Sequence, residues 1–247
     1  MMGKVIMSGI VPPLVAPVTG ILAGDLAVGS SVYLMENGVA AEYLVVNQGI
    51  PSNSSLYDAS CDGTWLLRKD LYEKRAWHRS NSNSYKASTI HSYLNSTFLG
   101  LLDSDIQEVV KQVKIPYVNG TGSGGSVASG ANGLSAKIFL LSGYEVGFTT
   151  SVSSYFPVDG AKLDYFESGD TSGGTNRAKR FAYLNGTVVH WWLRSPWTNS
   201  NRHAWIVLTD GGCSGSGCSD SYGIRPALVL PSTAVFDKET LILKGVA

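Results

Sequence analysis

The chain of 247 residues carries nineteen basic and nineteen acidic side chains, so no global field favours nucleic acid or an anionic membrane surface as a partner. Its 44% hydrophobic content can fill one large core, while a charged fraction of only 15% and 28 glycines favour strands and turns over long surface helices. Three cysteines, Cys61, Cys213 and Cys218, are too few for a disulfide scaffold and lack metal-ligand spacing, so unpaired thiols and no bound metal are expected.

The first 28 residues, MMGKVIMSGIVPPLVAPVTGILAGDLAV, are apolar but interrupted by Pro12, Pro13 and Pro17. Each proline pushes the residue before it towards extended geometry, which speaks against a signal helix and for an extended arm. No run of about 20 uninterrupted apolar residues exists to insert into a membrane. A separate domain is expected over residues 29–247.

That domain opens on SVYLMENGVAAEYLVVNQG, a predicted β-hairpin with Asn37-Gly38 as its type I′ turn. DGTWLLRKD (62–70) is a further predicted strand, followed by a polar loop through Asn81 and Asn83. Two helices are expected next. Ser88 caps a segment with Ile90, Tyr93, Leu94, Thr97, Phe98 and Leu101 on one face, and Ser104 with Gln107 forms a capping box before Ile106, Val109, Val110 and Val113. The Gly/Ser-rich stretch 119–133 lacks the Gly-Lys-Ser/Thr of a phosphate-binding loop. Lys137 to Leu141 is a short predicted strand, and Ser142 with Glu145 a second capping box on a brief helix. KRFAYLNG, TVVHWWLRS, HAWIVLTDGG and YGIRPALVL then read as antiparallel strands.

Candidate chemistry is sparse. Cys213 or Cys218 with His190 or His203 would be the elements of a thiol nucleophile and base, and Asp62, Asp70, Asp164 and Glu167 offer carboxylate pairs, but the Ser/Gly-rich run around the thiols shows no sign of an oxyanion hole. Trp191, Trp192 and Trp205 are bulky residues in strand-like runs and are expected in the core. Arg194 and Arg225 sit between apolar neighbours, where a cation needs carboxylate or carbonyl partners. These five residues read as a rigid frame, and the Asn/Ser/Gly/Asp-rich stretch of about 197–223 as a surface mounted on it.

WWLRSP (191–196), AW (204–205) and GIRPALVL (223–230), with YLVVNQG, LYDASCDGTWLLRKD, IHSYLNSTFLGLL, VVKQVKIPY and FLLSGYEVG, carry a resemblance. Over residues 31–235 the chain resembles a domain of phages and prophages of gut Firmicutes that is similar to the C-type lectin-fold variable proteins of diversity-generating retroelements. The opening VIMSGIVPPLVAP is similar to the starts of virion-associated members. In such systems template adenines are randomised, chiefly in asparagine codons AAC and AAT. Changing their first two bases never reaches Lys, Glu, Gln, Met or Trp, and residues 206–223 contain none of these.

The resemblance implies an α+β, C-type lectin-like fold of antiparallel strands and two main helices, with a long loop-rich surface. The implied function is non-enzymatic binding of a bacterial surface receptor, protein or glycan, by a phage or prophage tail component; a bacterial cell surface is the alternative location. The binding surface is expected at Asn199, Asn201, Arg202, His203, Ile206, Leu208, Asp210, Gly212, Ser214, Ser216, Asp220 and Tyr222, although Ile206 and Leu208, at period two on one strand, are equally candidates for the core. The arm, 1–28, would join the domain to other virion tail proteins or to copies of itself, as a homotrimer. No cofactor is implied, and the carboxylate cluster and Glu-Pro-Asn type motif of calcium-dependent sugar binders are absent. Two other readings stand: a cysteine- or carboxylate-dependent enzyme acting on a cell-surface glycan or peptide, and a structural tail protein without a ligand.

Overall fold

A computed structural model describes residues 19–52, 55–80, 82–120, 125–166 and 175–246. The chain folds as α+β, with many short antiparallel strands and few short helices. Two five-stranded sheets dominate. The first runs in the order Ile138–Phe139, Ala227–Leu230, Thr64–Arg68, Val39–Gln48 and Ser31–Glu36, antiparallel throughout. Its outer hairpin forms as the sequence predicts: Asn37 (φ 50°) and Gly38 (φ 73°) take the left-handed pair that a two-residue turn needs. Val32 and Leu34 alternate inward from it. Ala227–Leu230, nearer the centre, is buried along its whole length and so reads as a continuous apolar run.

The second sheet has the order Cys213–Gly217, His203–Val207, Trp191–Pro196, Ser221–Gly223 and Lys74–Ala76. Its strands are antiparallel except where Trp191 pairs with Gly223, a parallel contact that corrects the expected all-antiparallel arrangement. The chain crosses between the two sheets at Ile224-Arg225-Pro226, all buried. A third sheet joins Ile21–Leu22, Ala234–Phe236 and Leu243–Val246.

That third sheet corrects the domain boundary. Ile21 pairs with Phe236 and Leu22 with Val235, Ala23 is fully buried, and the Gln48 side chain donates to the carbonyls of Ala23 (2.9 Å) and Leu26 (2.8 Å). An apolar strand next to an open sheet edge gains ladder hydrogen bonds and burial together, so residues 21–28 belong to the domain. Residues 1–18 of the expected arm, with its three prolines, lie outside the described residues.

The helices are shorter than the periodicity predicts. Ser88 caps Thr89–Tyr93 by accepting from the His91 N–H at 3.1 Å, and the chain continues through a π turn, Leu94–Phe98, and a 3₁₀ turn, Leu99–Leu101. Ile90, Leu94 and Phe98 are buried, but Thr97 faces solvent, because the wider π turn advances the buried positions by four. The next helix is Ser104–Val109, and its N-cap is Asp103 rather than Ser104. Gln107 reaches back to the Leu102 carbonyl (2.6 Å), not to Ser104. The helix ends before Val113, which belongs to the strand Val113–Ile115. Ser142 and Glu145 do exchange the two hydrogen bonds of a capping box, yet the segment they open is a turn. The start of KRFAYLNG closes a helix, Thr175–Arg180, instead of opening a strand.

Candidate functional site

Beneath the Asn/Ser/Gly-rich segment, Arg194 is the anchor. It is 1% exposed, and each nitrogen of its guanidinium is engaged: Nε with the Pro116 carbonyl (3.0 Å), Nη1 with Leu140 (3.0 Å) and Glu145 (2.5 Å), Nη2 with Glu145 (2.6 Å) and the Asp159 carbonyl (2.8 Å). Burial disfavours its charge, but the attraction and hydrogen bonds of Glu145 outweigh that and hold the guanidinium above its ordinary value. Tyr57 adds a hydrogen bond to Glu145 at 2.9 Å. The neighbouring Ser195 hydroxyl donates to the fully buried Asp159, whose carboxyl is pushed up to about 7 by burial, with Arg194 and Ser195 pulling the other way.

Arg225 is equally buried but, among the described residues, has no carboxylate partner. Nε and Nη2 donate to the carbonyls of Arg68 and Lys69, each at 3.0 Å, the guanidinium lies 5.2 Å from the Trp191 ring, and Nη1 meets no acceptor among the described residues. Burial accordingly brings its value down to about 10. Trp191, Trp192 and Trp205 are buried as the frame reading expects, and the indole N–H groups of Trp191 and Trp192 donate to the carbonyls of Arg180 and Arg75, both at 2.9 Å.

A ladder of rings leads from this core to the surface. Phe148 stacks on Phe156, Phe156 on Trp205 at 3.7 Å and 12°, and Trp205 on Trp197 at 4.4 Å and 12°, with Tyr155 stacked on Trp197 at 5.4 Å. Trp197 is half-buried and stands over Gly215 in the edge strand. A Cβ on Gly215 would overlap the Trp197 benzo ring. The outer end of the ladder opens into a surface cavity of about 420 Å³ lined by Trp197, Asn199, Ser200, His203 and Gly215.

The turn that carries this cavity is held from behind by Asn83. Its Nδ2 donates to the carbonyls of Ser200 (2.6 Å), His203 (3.0 Å) and Trp197 (3.2 Å), and its backbone N–H donates to Asn201 (3.0 Å). Trp197 N–H to His203 (2.9 Å) and Ser200 N–H to Trp197 (3.1 Å) close the turn from within. Neither Asn83 nor Trp197 stands out in the sequence. An Asn in a polar loop signals only a turn, and its three acceptors lie 114 to 120 residues away.

The expected binding residues divide into three groups. Asn199, Asn201, Arg202 and His203 are exposed on the 197–203 turn. Ser216, Asp220 and Tyr222 form a second group, with the Ser216 hydroxyl bonded to Asp220 (2.8 Å) and Tyr222 (3.0 Å). Strand alternation and the register His203↔Gly217, Ala204↔Ser216 place Ser214 and Ser216 on the opposite face from His203. Asp210 and Gly212 sit at the far end of the same hairpin: Asp210 pairs with Arg177 (3.0 Å) and accepts the Gly212 N–H (2.9 Å), whose bond heads the causes lowering its carboxyl.

Ile206 and Gly212 are buried and so are corrected from surface to core. Ile206 lies opposite Trp192 and shares its apolar face, and Gly212 is enclosed where the turn is pinned to the helix Thr175–Arg180 through Arg180 and the Gly211 carbonyl (2.7 Å). Leu208 is half-buried against the core. The stretch expected to be loop contains the strand Cys213–Gly217.

Among the described residues no three His, Cys, Asp or Glu side chains gather to hold a metal, and no helix is long and apolar enough to cross a membrane. Burial pushes the Cys218 thiol up to about 12, away from the thiolate a nucleophile needs. His190 Nδ1 accepts from the Thr209 N–H (2.9 Å) and His203 Nδ1 pairs with Ser200 (2.7 Å), so neither contact is to a thiol. Glu167 lies outside the described residues.

The geometry is that of an α+β domain in which a buried Arg/Trp frame supports an exposed polar turn. Residues 62–232 match the family model of a domain of unknown function, DUF6273, and the chain belongs to that family. No curated protein and no solved structure matches the chain.

Proposed function

We propose that this chain is a non-enzymatic binding protein with a C-type lectin-like scaffold, a receptor-binding component of a phage or prophage tail, whose contact surface centres on residues 197–203. The observation that carries the reading is the contrast between that turn's outside and inside. Asn199, Asn201, Arg202 and His203 project into solvent, while Asn83 grips the turn's carbonyls and Arg194 and the stacked rings fix the floor. Side chains on such a turn can be exchanged without disturbing the core, and a pre-ordered turn loses little entropy on binding. The second group, Ser216, Asp220 and Tyr222, is a neighbouring surface on the other side of the edge strand. Residues 1–18 are proposed to join the domain to other tail proteins or to a trimer of itself.

The test is binding of the labelled chain to intact cells of gut Firmicutes, alongside a variant with Asn199, Asn201, Arg202 and His203 all changed to Ala. The reading expects the variant to keep its melting temperature and lose cell binding. Equal binding by the two proteins rejects it.

A further inference from the structure

The cavity at the end of the aromatic ladder has a chemistry specific enough to name a ligand class. Its floor is an indole ring that cannot tilt freely: Trp197 is stacked on Trp205 at 4.4 Å and rests on Gly215, where a side chain would displace it. Its rim is polar, formed by Asn199, Ser200 and His203, with no Asp, Glu, Lys or Arg among the described lining residues. The Ser200 hydroxyl and His203 Nδ1 satisfy each other at 2.7 Å, leaving the second ring nitrogen of His203 and the Asn199 amide without a partner among the described residues. An amide offers both donors and an acceptor, so the rim can match groups that themselves both donate and accept. The volume, about 420 Å³, falls within the roughly 300–1,000 Å³ of small-molecule sites.

From this juxtaposition we infer that the cavity binds a neutral saccharide, one ring lying its C–H face on Trp197 and its hydroxyls bonded to Asn199 and His203. A charged ligand would find no Asp, Glu, Lys or Arg in the lining to pair with. An aliphatic side chain would leave the amide and imidazole desolvated without partners, at a cost that outweighs the burial it gains. A pyranose satisfies both halves of the cavity, an apolar face against the indole and a ring of hydroxyls for the rim. The inference rests on the proposed binding surface and narrows it from any receptor to a glycan. It requires no metal, since the contacts come from side chains alone.

The full chain applied to an array of immobilised neutral oligosaccharides, with sialylated ones for comparison, tests this. The expected result is retention on neutral glycans alone, reduced at least tenfold by Trp197→Ala and by His203→Ala. His203 is exposed, so its variant keeps the fold even if the Trp197 variant does not, and Asn199→Ala supplies a second exposed change. Retention on no neutral saccharide, or equal retention by the His203 and Asn199 variants, overturns the inference. Periodate oxidation of target cells separates the two levels. Cell binding that needs Asn199 and His203 but survives periodate overturns the saccharide while leaving the surface in place. Cell binding indifferent to both residues overturns the surface itself.

Discussion

The side-chain amide of Asn83 donates to the Ser200 carbonyl across 2.6 Å, tying an early polar loop to the turn that carries the exposed residues. The same nitrogen also serves His203 and Trp197, so one side chain closes the back of the whole turn. Truncation therefore leaves the part-buried Ser200 carbonyl without this donor and removes one of the donors to the carbonyls of His203 and Trp197, which keep their bonds within the turn. Asn83→Ala is expected to cost about 2 kcal/mol, with faster amide exchange at Ser200 and Trp197 than elsewhere in the sheet. Denaturant unfolding and hydrogen exchange measure both. An unchanged midpoint with unchanged exchange at the turn would show that the turn holds itself.

Arg194 and Glu145 form a fully buried ion pair with every charged atom hydrogen-bonded. Replacing Arg194 by Met leaves Glu145 charged in a dry site, a loss on the order of 3–5 kcal/mol. Tyr57→Phe removes one neutral donor to that carboxylate and the acceptor of the buried Ala161 N–H, and is expected to cost about 2 kcal/mol. The order of the two losses is the test. Equal melting temperatures for both variants would contradict a frame built on the pair.

Much of this frame was legible from local pattern, and its partners were not. The Asn37-Gly38 hairpin and the buried, bonded arginines follow from periodicity and from the cost of an unpaired cation in an apolar run. The Ser142–Glu145 cap was legible too, but the bond from Glu145 to Arg194 spans 49 residues, which no local rule reaches. Cys213–Gly217 was missed because CSGSG has little strand propensity of its own; it is a strand because His203–Val207 offers an edge to pair with. Asn83 and Trp197 gain their roles only when distant loops meet, and the burial of Gly212 depends on the helix Thr175–Arg180 packing behind it.

Asp159 makes stability depend on pH in an unusual direction for a carboxylate. Its folded value, pushed up to about 7 by burial, exceeds the roughly 3.9 of an unfolded Asp, so the folded chain binds the proton more tightly. Its contribution to stability is present in full at acid pH and is lost as pH rises to about 7. His91, held below its ordinary value by burial, acts in the opposite direction, so the comparison must be made between proteins. Asp159→Asn is expected to remove the downward slope of melting temperature between about pH 5 and pH 7. Parallel profiles for the two proteins would assign no such role to Asp159.

Gly215 faces a constraint that its half-buried, polar neighbours do not. A methyl group there overlaps the Trp197 ring, whereas Ser214 and Ser216 on the same strand point to the other side. Gly215→Ala is expected to cost about 1–3 kcal/mol and to shift tryptophan fluorescence as the ladder opens, while Ser214→Ala changes neither. If both substitutions are silent in thermal melts and emission spectra, the ladder does not depend on that close approach.

The pairing of Ile21 with Phe236 makes that stretch of the amino-terminal segment part of the fold, and residues 1–18 are the part proposed for attachment. Removing residues 1–18 leaves this strand, the buried Ala23 and the two Gln48 bonds in place, so the shortened chain is expected to keep its melting temperature. Removing residues 1–28 exposes the Ala234–Phe236 edge and opens the cavity that Ala23 and Leu26 fill, a loss on the order of 2–5 kcal/mol. Sedimentation then tests the attachment role. If the apolar segment ahead of residue 19 joins copies of the chain, the full-length protein is an oligomer and the 19–247 fragment a monomer of equal stability. A full-length monomer would leave attachment to another protein as that segment's role, and a shared drop in stability on removing residues 1–18 would place the segment within the fold.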